Sequence, residues 1–252
     1  RFAASSLAAA LSGTLHGADA ECAGLSIDSR SVAPGQLFAA VRGVRDGHEF
    51  AAGARAAGAA AVLVERALEP GPSIVVEDVA MALPRLAGFV RDRLPDRVIG
   101  VTGSVGKTTT KDLLASVLGQ RFVTAASEKS FNNELGVPLT LANAPDDVEA
   151  VVVEMGARGA RHIATLCAMA RPTVGVVTTV EGVHTEVMGD LTQIAAAKGE
   201  LIEALPAHGL AVLNADVPLV AAMAARSAAP VMTFGVQGDV LAEAVRVDDE
   251  LR

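Results

Sequence analysis

From Val98 to Leu114 the chain reads VIGVTGSVGKTTTKDLL. An apolar run without alternation stops at Thr102, two glycines bracket a short turn, and a lysine opens a helical pattern. Apolar strands of this kind are buried on both faces, which calls for a parallel sheet with helices on each side. A glycine-rich turn leading from such a strand into a helix aims backbone amides at an anion held at the positive helix end. Lys107 then reaches the outer phosphates of a nucleotide, and the Thr108 hydroxyl is a ligand for Mg2+. The general pattern is G-x-x-x-x-G-K-S/T. Val101 stands where its first glycine belongs, so the match is to a shorter T-G-x-x-G-K-T form. Thr102, Gly103, Ser104, Val105, Gly106, Lys107, Thr108 and Thr109 form the candidate nucleotide loop.

The rest of the chain fits that frame. The 252 residues are 51% hydrophobic but only 3% aromatic, with no Trp or Tyr, so the core is built of Ala, Val and Leu. Before RDRLPDR (residues 91–97) lies a smaller α/β unit, with strands expected at GLSID, QLFAAV, AAVLVE and SIVVE and helices at FAAGARAAGA and residues 79–94. After it come strands at RVIGVT, RFVTA, VEAVVVE, TVGVVTT, LAVLN and PVMTF, alternating with helices expected at 107–118, 160–170, 192–204 and 218–225. The expected division is therefore 1–95 and 96–252. A net charge of −8 and a sequence pI of about 5.1, without aromatic platforms, argue against nucleic-acid binding. The two cysteines, Cys22 and Cys167, lie far apart in no metal-binding spacing, which fits a reduced, cytoplasmic setting. No apolar run is long enough to span a bilayer. The opening RFAASSLAAALSGTLHGADA imitates a signal peptide, but is read as a first helix ending near Gly13.

Ligands of open α/β sheets bind beyond the carboxyl ends of the strands. Glu154 ends VVVE there and suits a hard cation, although a lone strand-end glutamate is ordinarily just solvated. His184 lies in the loop after the next strand, Lys198 in the helix that follows, and Asn214 and Asp216 end LAVLNAD, where they read a base or ribose edge or cap the next helix.

The segments DSRSVAPGQLFAAVRGVRDGHEF (28–50), VTGSVGKTTTKDLL, FNNELGVPLTL (131–141), VVVEMGARGARHIATLCAMARPTVGVVT (151–178), HTEVMGDLTQIAAAKGELI and AVLNAD resemble the Mur ligases of peptidoglycan synthesis. The likeness is strongest to the member that adds D-alanyl-D-alanine to a UDP-linked muramoyl tripeptide. The resemblance implies a small N-terminal α/β domain for the UDP precursor, then a P-loop NTPase-like, mostly parallel sheet with helices on both faces. It also implies an ATP-driven amide ligation through an acyl phosphate. The protein is expected to be a monomer. Gly103, Lys107 and Thr108 would hold the phosphates and one Mg2+ with Glu154, and His184 would serve a second Mg2+. Lys198 matches a lysine commonly carbamylated in the family. Asn132 or Asn133 would lie beside adenine, with Asn214 a further candidate. Ser29 and Arg30 match positions that contact the UDP end, with Arg42, Asp46 and His48 nearby. Two departures stand out. Thr179 and Glu181 replace an Asn and a Gly frequent in the family, and the sequence given stops at Arg252, before the Rossmann-like C-terminal domain that family members carry. A chain lacking that domain is expected to bind nucleotide and to ligate poorly. The alternatives are a neighbouring ligase (tripeptide-forming or folylpolyglutamate type), a catalytically silent nucleotide-binding module, or a plain NTPase or kinase.

Overall fold

The computed structural model describes residues 1–182 and 190–243. Its first part holds β1 (Phe2–Ala3), α1 (Ala4–Ala10), β2 (Thr14–His16), β3 (Glu21–Cys22), β4 (Leu25–Ser26), β5 (Leu37–Ala39), α2 (Ala51–Ala56), β6 (Ala61–Val64), β7 (Ser73–Val75) and α3 (Val79–Arg91). Four of these strands form a parallel run in chain order, β4-β5-β6-β7, and β2 closes the sheet antiparallel to β7. β1 and β3 pair separately as a short antiparallel ribbon.

The second part holds β8 (Val98–Thr102), α4 (Lys107–Leu118), β9 (Thr124–Ala126), α5 (Gly136–Ala142), β10 (Ala150–Glu154), α6 (His162–Ala170), β11 (Val174–Val177), α7 (Leu191–Glu203), β12 (Leu210–Asn214), α8 (Pro218–Ala221) and β13 (Val231–Phe234). The six strands are all parallel, in the order β13-β12-β11-β8-β10-β9. The chain therefore runs outward from β8 on one side, returns, and runs outward on the other. β8 sits at the switch point, where the loops above the strand ends part and leave a crevice. The strand that carries the glycine-rich turn is thus the one whose end opens into that crevice.

The sheet is apolar on both faces, as parallel strands covered by helices must be. β8 and β10 are buried at every residue. On one side Gly100 and Gly175 stand in register on neighbouring strands and leave a bare patch. Leu201 of α7 fills it so closely that a Cβ on Gly100 would lie 2.8 Å from its Cδ1. α3 joins the two parts: it is capped by Asp78, whose carboxylate accepts from Met81 N at 2.9 Å. Its apolar face (Val79, Leu83, Leu86, Val90) belongs to one continuous core with α5 and α6.

Strand and helix positions follow the sequence reading closely, with instructive exceptions. α3 ends at Arg91, three residues early, because Arg91 turns inward and its guanidinium donates to the carbonyls of Ala170, Leu94 and Arg171. The helix expected at 218–225 is α-helical only to Ala221 and continues as a 3-10 turn over Ala222–Arg226. α5 is missing from the expectation altogether. Its sequence, GVPLTLA, is buried on every side, so it shows no amphipathic stripe, and Gly, Val, Pro and Thr are poor helix formers. What starts it is Asn133, whose Oδ1 accepts from Leu135 N and Gly136 N at 3.2 and 2.9 Å.

Candidate active site

The turn after β8 has left-handed or extended-positive backbone at both glycines, φ 153° at Gly103 and 84° at Gly106. Gly106 precedes α4, whose first amides have no intrahelical partners and face outward from the strand end. Lys107 Nζ folds back to donate to the carbonyls of Gly103 and Ser104 at 2.9 and 3.0 Å. The turn is held from the β11 side. Ser104 N donates to Thr179 O at 2.9 Å, Val105 N to the Thr179 hydroxyl at 3.2 Å, and Thr178 Oγ1 to Val105 O. Ser104 Oγ is donor to Glu181 O and acceptor from Glu181 N, at 3.0 and 2.9 Å. Thr179 and Glu181, the two departures noted above, are therefore the residues that fix the shape of the turn. Thr102 is buried, its hydroxyl on Met155 O at 2.8 Å, which ties β8 to the end of β10. Thr109 has no hydrogen-bonded side-chain partner among the described residues.

Glu154 is 1% exposed. One carboxylate oxygen accepts from the Thr108 hydroxyl and the other from Asn132 Nδ2, both at 2.8 Å. No basic side chain among the described residues pairs with it. A buried carboxylate satisfied by two neutral donors keeps a negative charge that calls for a cation. Thr108 and Glu154 are hard oxygen donors of the type Mg2+ takes, and Mg2+ commonly completes its shell with phosphate oxygens and water rather than a full protein cage. The residues therefore fit the ion. Among the described residues no cluster of three or more His, Cys, Asp or Glu side chains occurs that could hold a metal without such help.

Lys198, in α7, is 3% exposed and has no hydrogen bond or ion pair to another described residue. Burial, and then the charge of Lys107, push its ammonium down to about 8. Burial also lowers Lys107, against an opposing pull from Glu154. Among the described residues, two half- or fully buried cations, with one buried carboxylate near Lys107, leave a net positive site, which suits a polyphosphate. His184 lies outside the described residues.

The expected nucleotide-edge residues take internal partners. Asn132 is on Glu154, and Asn133 Oδ1 accepts from Leu135 N and Gly136 N in the turn ahead of α5. Asn214 donates to Thr178 O at 2.9 Å and accepts from Asp216 N at 3.0 Å. Asp216 in turn accepts from Val236 N and Gln237 N.

In the first part, the loops after β4 and β5 lie at one edge, since those strands are parallel. Ser29 and Arg30 occupy the former. Arg30 is exposed and forked onto Asp28, which its guanidinium holds down to about 2. Arg42 pairs with Glu65. Asp46 accepts from His48 N and Nδ1 at 3.0 and 2.6 Å. His48 is a correction to the sequence reading. It is buried, and its Nε2 accepts from Glu65 N at 2.8 Å, so Nδ1 carries the proton and both nitrogens are engaged inside the loop. It shapes the turn that presents Asp46 and has no free face for a ligand.

Several supporting residues escaped the sequence reading. Lys111 is buried and donates to Ser127 O at 2.7 Å, anchoring the loop that carries Asn132. Arg161, with φ 62°, leaves α6 without a local cap; both Glu200 oxygens supply one instead, accepting from Arg161 N and Ala164 N. His162 bonds Glu134 through Nε2 and accepts from Arg158 N at 3.0 Å. A glutamate two residues after a buried lysine and a Glu near paired asparagines were the only signals of these contacts.

Comparison with known proteins adds a second line. The family model described as the Mur ligase middle domain matches residues 101–251, and that of the Mur ligase family catalytic domain matches residues 21–97. The UDP-N-acetylmuramoyl-tripeptide–D-alanyl-D-alanine ligase of Escherichia coli is 39% identical over 208 residues, 82% of this chain and 46% of that protein. The ligase of the same name from Mycobacterium bovis is 42% identical over 255 residues, 90% and 50% respectively. A crystal structure of MurF from Acinetobacter baumannii superposes with a TM-score of 0.84 at 29% identity, covering 96% of this chain and 55% of that one. MurF from Thermotoga maritima in complex with ADP gives 0.75 at 33% identity, covering 86% and 51%. The chain thus spans about half the length of the curated relatives it matches.

Proposed function

The chain belongs to the Mur ligase family, and from that premise we propose that it serves the ATP-dependent joining of D-alanyl-D-alanine to a UDP-N-acetylmuramoyl-tripeptide. ATP phosphorylates the terminal carboxylate of the tripeptide. The amine of D-alanyl-D-alanine then attacks the acyl carbon, phosphate leaves, and the amine loses its proton. Residues 1–95 hold the UDP end and residues 96–252 the nucleotide. The protein acts as a cytoplasmic monomer. No helix among the described residues is long and apolar enough to cross a membrane.

One observation carries the reading: Lys107, Thr108 and buried Glu154 meet at the switch-point strand, and the charge of Lys107 bears on Lys198. Phosphoryl transfer asks the protein mainly for positioning and charge neutralisation. The α4 amides and Lys107 neutralise the triphosphate. Thr108 and Glu154 would hold Mg2+, which offsets charge on the phosphate oxygens when bound, and Asn132 fixes the Glu154 carboxylate. Lys198, with its ammonium near 8, has at neutral pH a neutral fraction able to add CO2. Its nitrogen forms a bond to the carbon and releases a proton, which turns a cation into an anionic oxygen donor. Adenine is bounded by the loops of Asn132, Asn133 and Asn214, and the UDP end by Ser29, Arg30, Arg42 and Asp46.

Calorimetric titration tests the nucleotide step: Mg-ATP binds the wild type and binds Lys107→Met about two orders of magnitude more weakly. Absence of Mg-ATP binding to the wild type would overturn the reading. An acceptor panel tests the chemistry. Pentapeptide formed with D-alanyl-D-alanine supports the assignment, and amide formed instead with diaminopimelate, lysine or glutamate refutes it. Labelling with 13C-bicarbonate is expected to give a carbamate carbon signal that Lys198→Met abolishes.

A further inference from the structure

Asn143 is the first residue past α5, and its side chain pairs with the β4 backbone in two directions at once. Its Oδ1 accepts from Leu25 N at 3.0 Å and from Gln36 Nε2 at 2.8 Å. Its Nδ2 donates to Leu25 O at 2.8 Å and to Leu139 O at 3.0 Å. All four hydrogen-bonding positions of the amide are therefore filled. The paired contact with Leu25 copies what a neighbouring strand would offer, although the two residues are 118 positions apart. The backbone is shaped to admit it. Gly24 has φ 113°, and a Cβ there would lie 2.3 Å from Asn143 Oδ1. Gln36 completes the arrangement by accepting from Ala33 N at 2.9 Å.

Directly above this contact, a cavity of ≈ 570 Å³ separates the two parts of the chain. Leu25, Asp28 and Ser31 line one wall, and Glu128, Phe131 and Asn143 the other. Ser29 and Arg30 lie on the same loop as the first wall. The apolar seam below, where α3 meets α5 and α6, is non-directional in its hydrophobic part, and Arg91 adds directed bonds from α3 to Ala170 O and Arg171 O. The three Asn143 bonds that cross to Leu25 and Gln36 fix its register on the β4 side.

We propose that Asn143 is a positioning residue that sets the spacing of these two walls and thereby the fit of the nucleotide-linked peptide precursor between them. The inference rests on the assignment of the UDP precursor to the first part of the chain. Asn143 touches no reacting atom; it acts by holding Leu25, and with it the loop of Ser29 and Arg30, at a fixed distance from Phe131 and Glu128.

The test uses Asn143→Ala in the intact protein, with Gln36→Ala as a milder variant that removes one bond and leaves the Leu25 pairing. Three quantities are measured: hydrogen exchange at the Leu25 amide, affinity for UDP-N-acetylmuramoyl-tripeptide, and affinity for Mg-ATP. For Asn143→Ala, exchange at Leu25 is expected to rise and precursor affinity to fall roughly tenfold, the scale of one or two lost directed bonds. Mg-ATP affinity stays within about twofold, since the nucleotide turn shares no bond with the contact. Gln36→Ala gives the same pattern at about a third of the loss. Faster exchange with unchanged precursor affinity overturns the proposal, because the amide then closes a seam without setting the cavity. An equal loss for both ligands also overturns it, as general destabilisation. If the wild type itself binds no precursor, the fault lies in the functional assignment, and this inference falls with it.

Discussion

The two sheets treat charge in opposite ways. At the edge of the first, Arg30, Arg42 and Asp46 are satisfied at home, by Asp28, Glu65 and His48, and the arginines stay largely in water. At the edge of the second, Glu154 and Lys198 are withdrawn from solvent and have no ion-pair partner among the described residues. Exposed pairs of the first kind contribute little to stability. Buried unpaired charges of the second kind destabilise the ligand-free fold and are released from that cost only by a ligand of opposite charge. The contrast separates an edge that can rearrange around a ligand from an edge already set for one.

Substitutions can break or sharpen that contrast. The largest effect is expected at Lys107. Replacing it with Met removes the cation nearest the phosphates, and Mg-ATP affinity should fall by about two orders of magnitude in calorimetry. An affinity within threefold of wild type would refute a charge-based cradle.

Next comes Lys198, with the sign reversed. Its ammonium titrates near 8 in the folded chain, against 10.5 for an ordinary lysine. Between those values the unfolded chain holds a proton that the folded one has released, so stability rises with pH across that window. Below about 8 both states are protonated and the burial cost is present in full. Lys198→Met should therefore stabilise the ligand-free protein at pH 7 by up to about 3 kcal/mol. It should also flatten the rise toward pH 10.5, as read from denaturant midpoints. A destabilised variant at pH 7 would show that the charge is compensated.

Glu200→Gln is smaller. It weakens the remote cap on α6 and should cost about 1 kcal/mol, seen in the same unfolding curves. The smallest effect on stability is expected at Arg30→Ala, whose melting temperature should match wild type while its affinity for UDP falls. A clear drop in melting temperature would mean that the exposed pair with Asp28 does more than surface pairs usually do.

Much of this was legible before any coordinates. α4 matches its expected limits because loop glycines, lysine and apolar strand act locally, and β8 and β10 are apolar runs whose burial needs no distant information. What stayed hidden depends on residues far apart in the chain. α5 is helical because it is enclosed, not because its residues favour helix, and its start relies on Asn133. The inward turn of His48 depends on the Glu65 amide, which only the pairing of β5 with β6 brings near. The partnership of Asn132 with Glu154 likewise exists only once the β9–α5 loop folds over the end of β10.

The glycine pair on β8 and β11 has a mechanical corollary. Because Leu201 drops into the notch they leave, α7 is keyed to the sheet like a tenon in its mortise and can neither roll nor slide along it. The reach of Lys198 toward the nucleotide turn is thus decided three residues away, by the absence of two methyl groups. Enlarging either glycine would shift the lysine without substituting any residue proposed to meet a ligand.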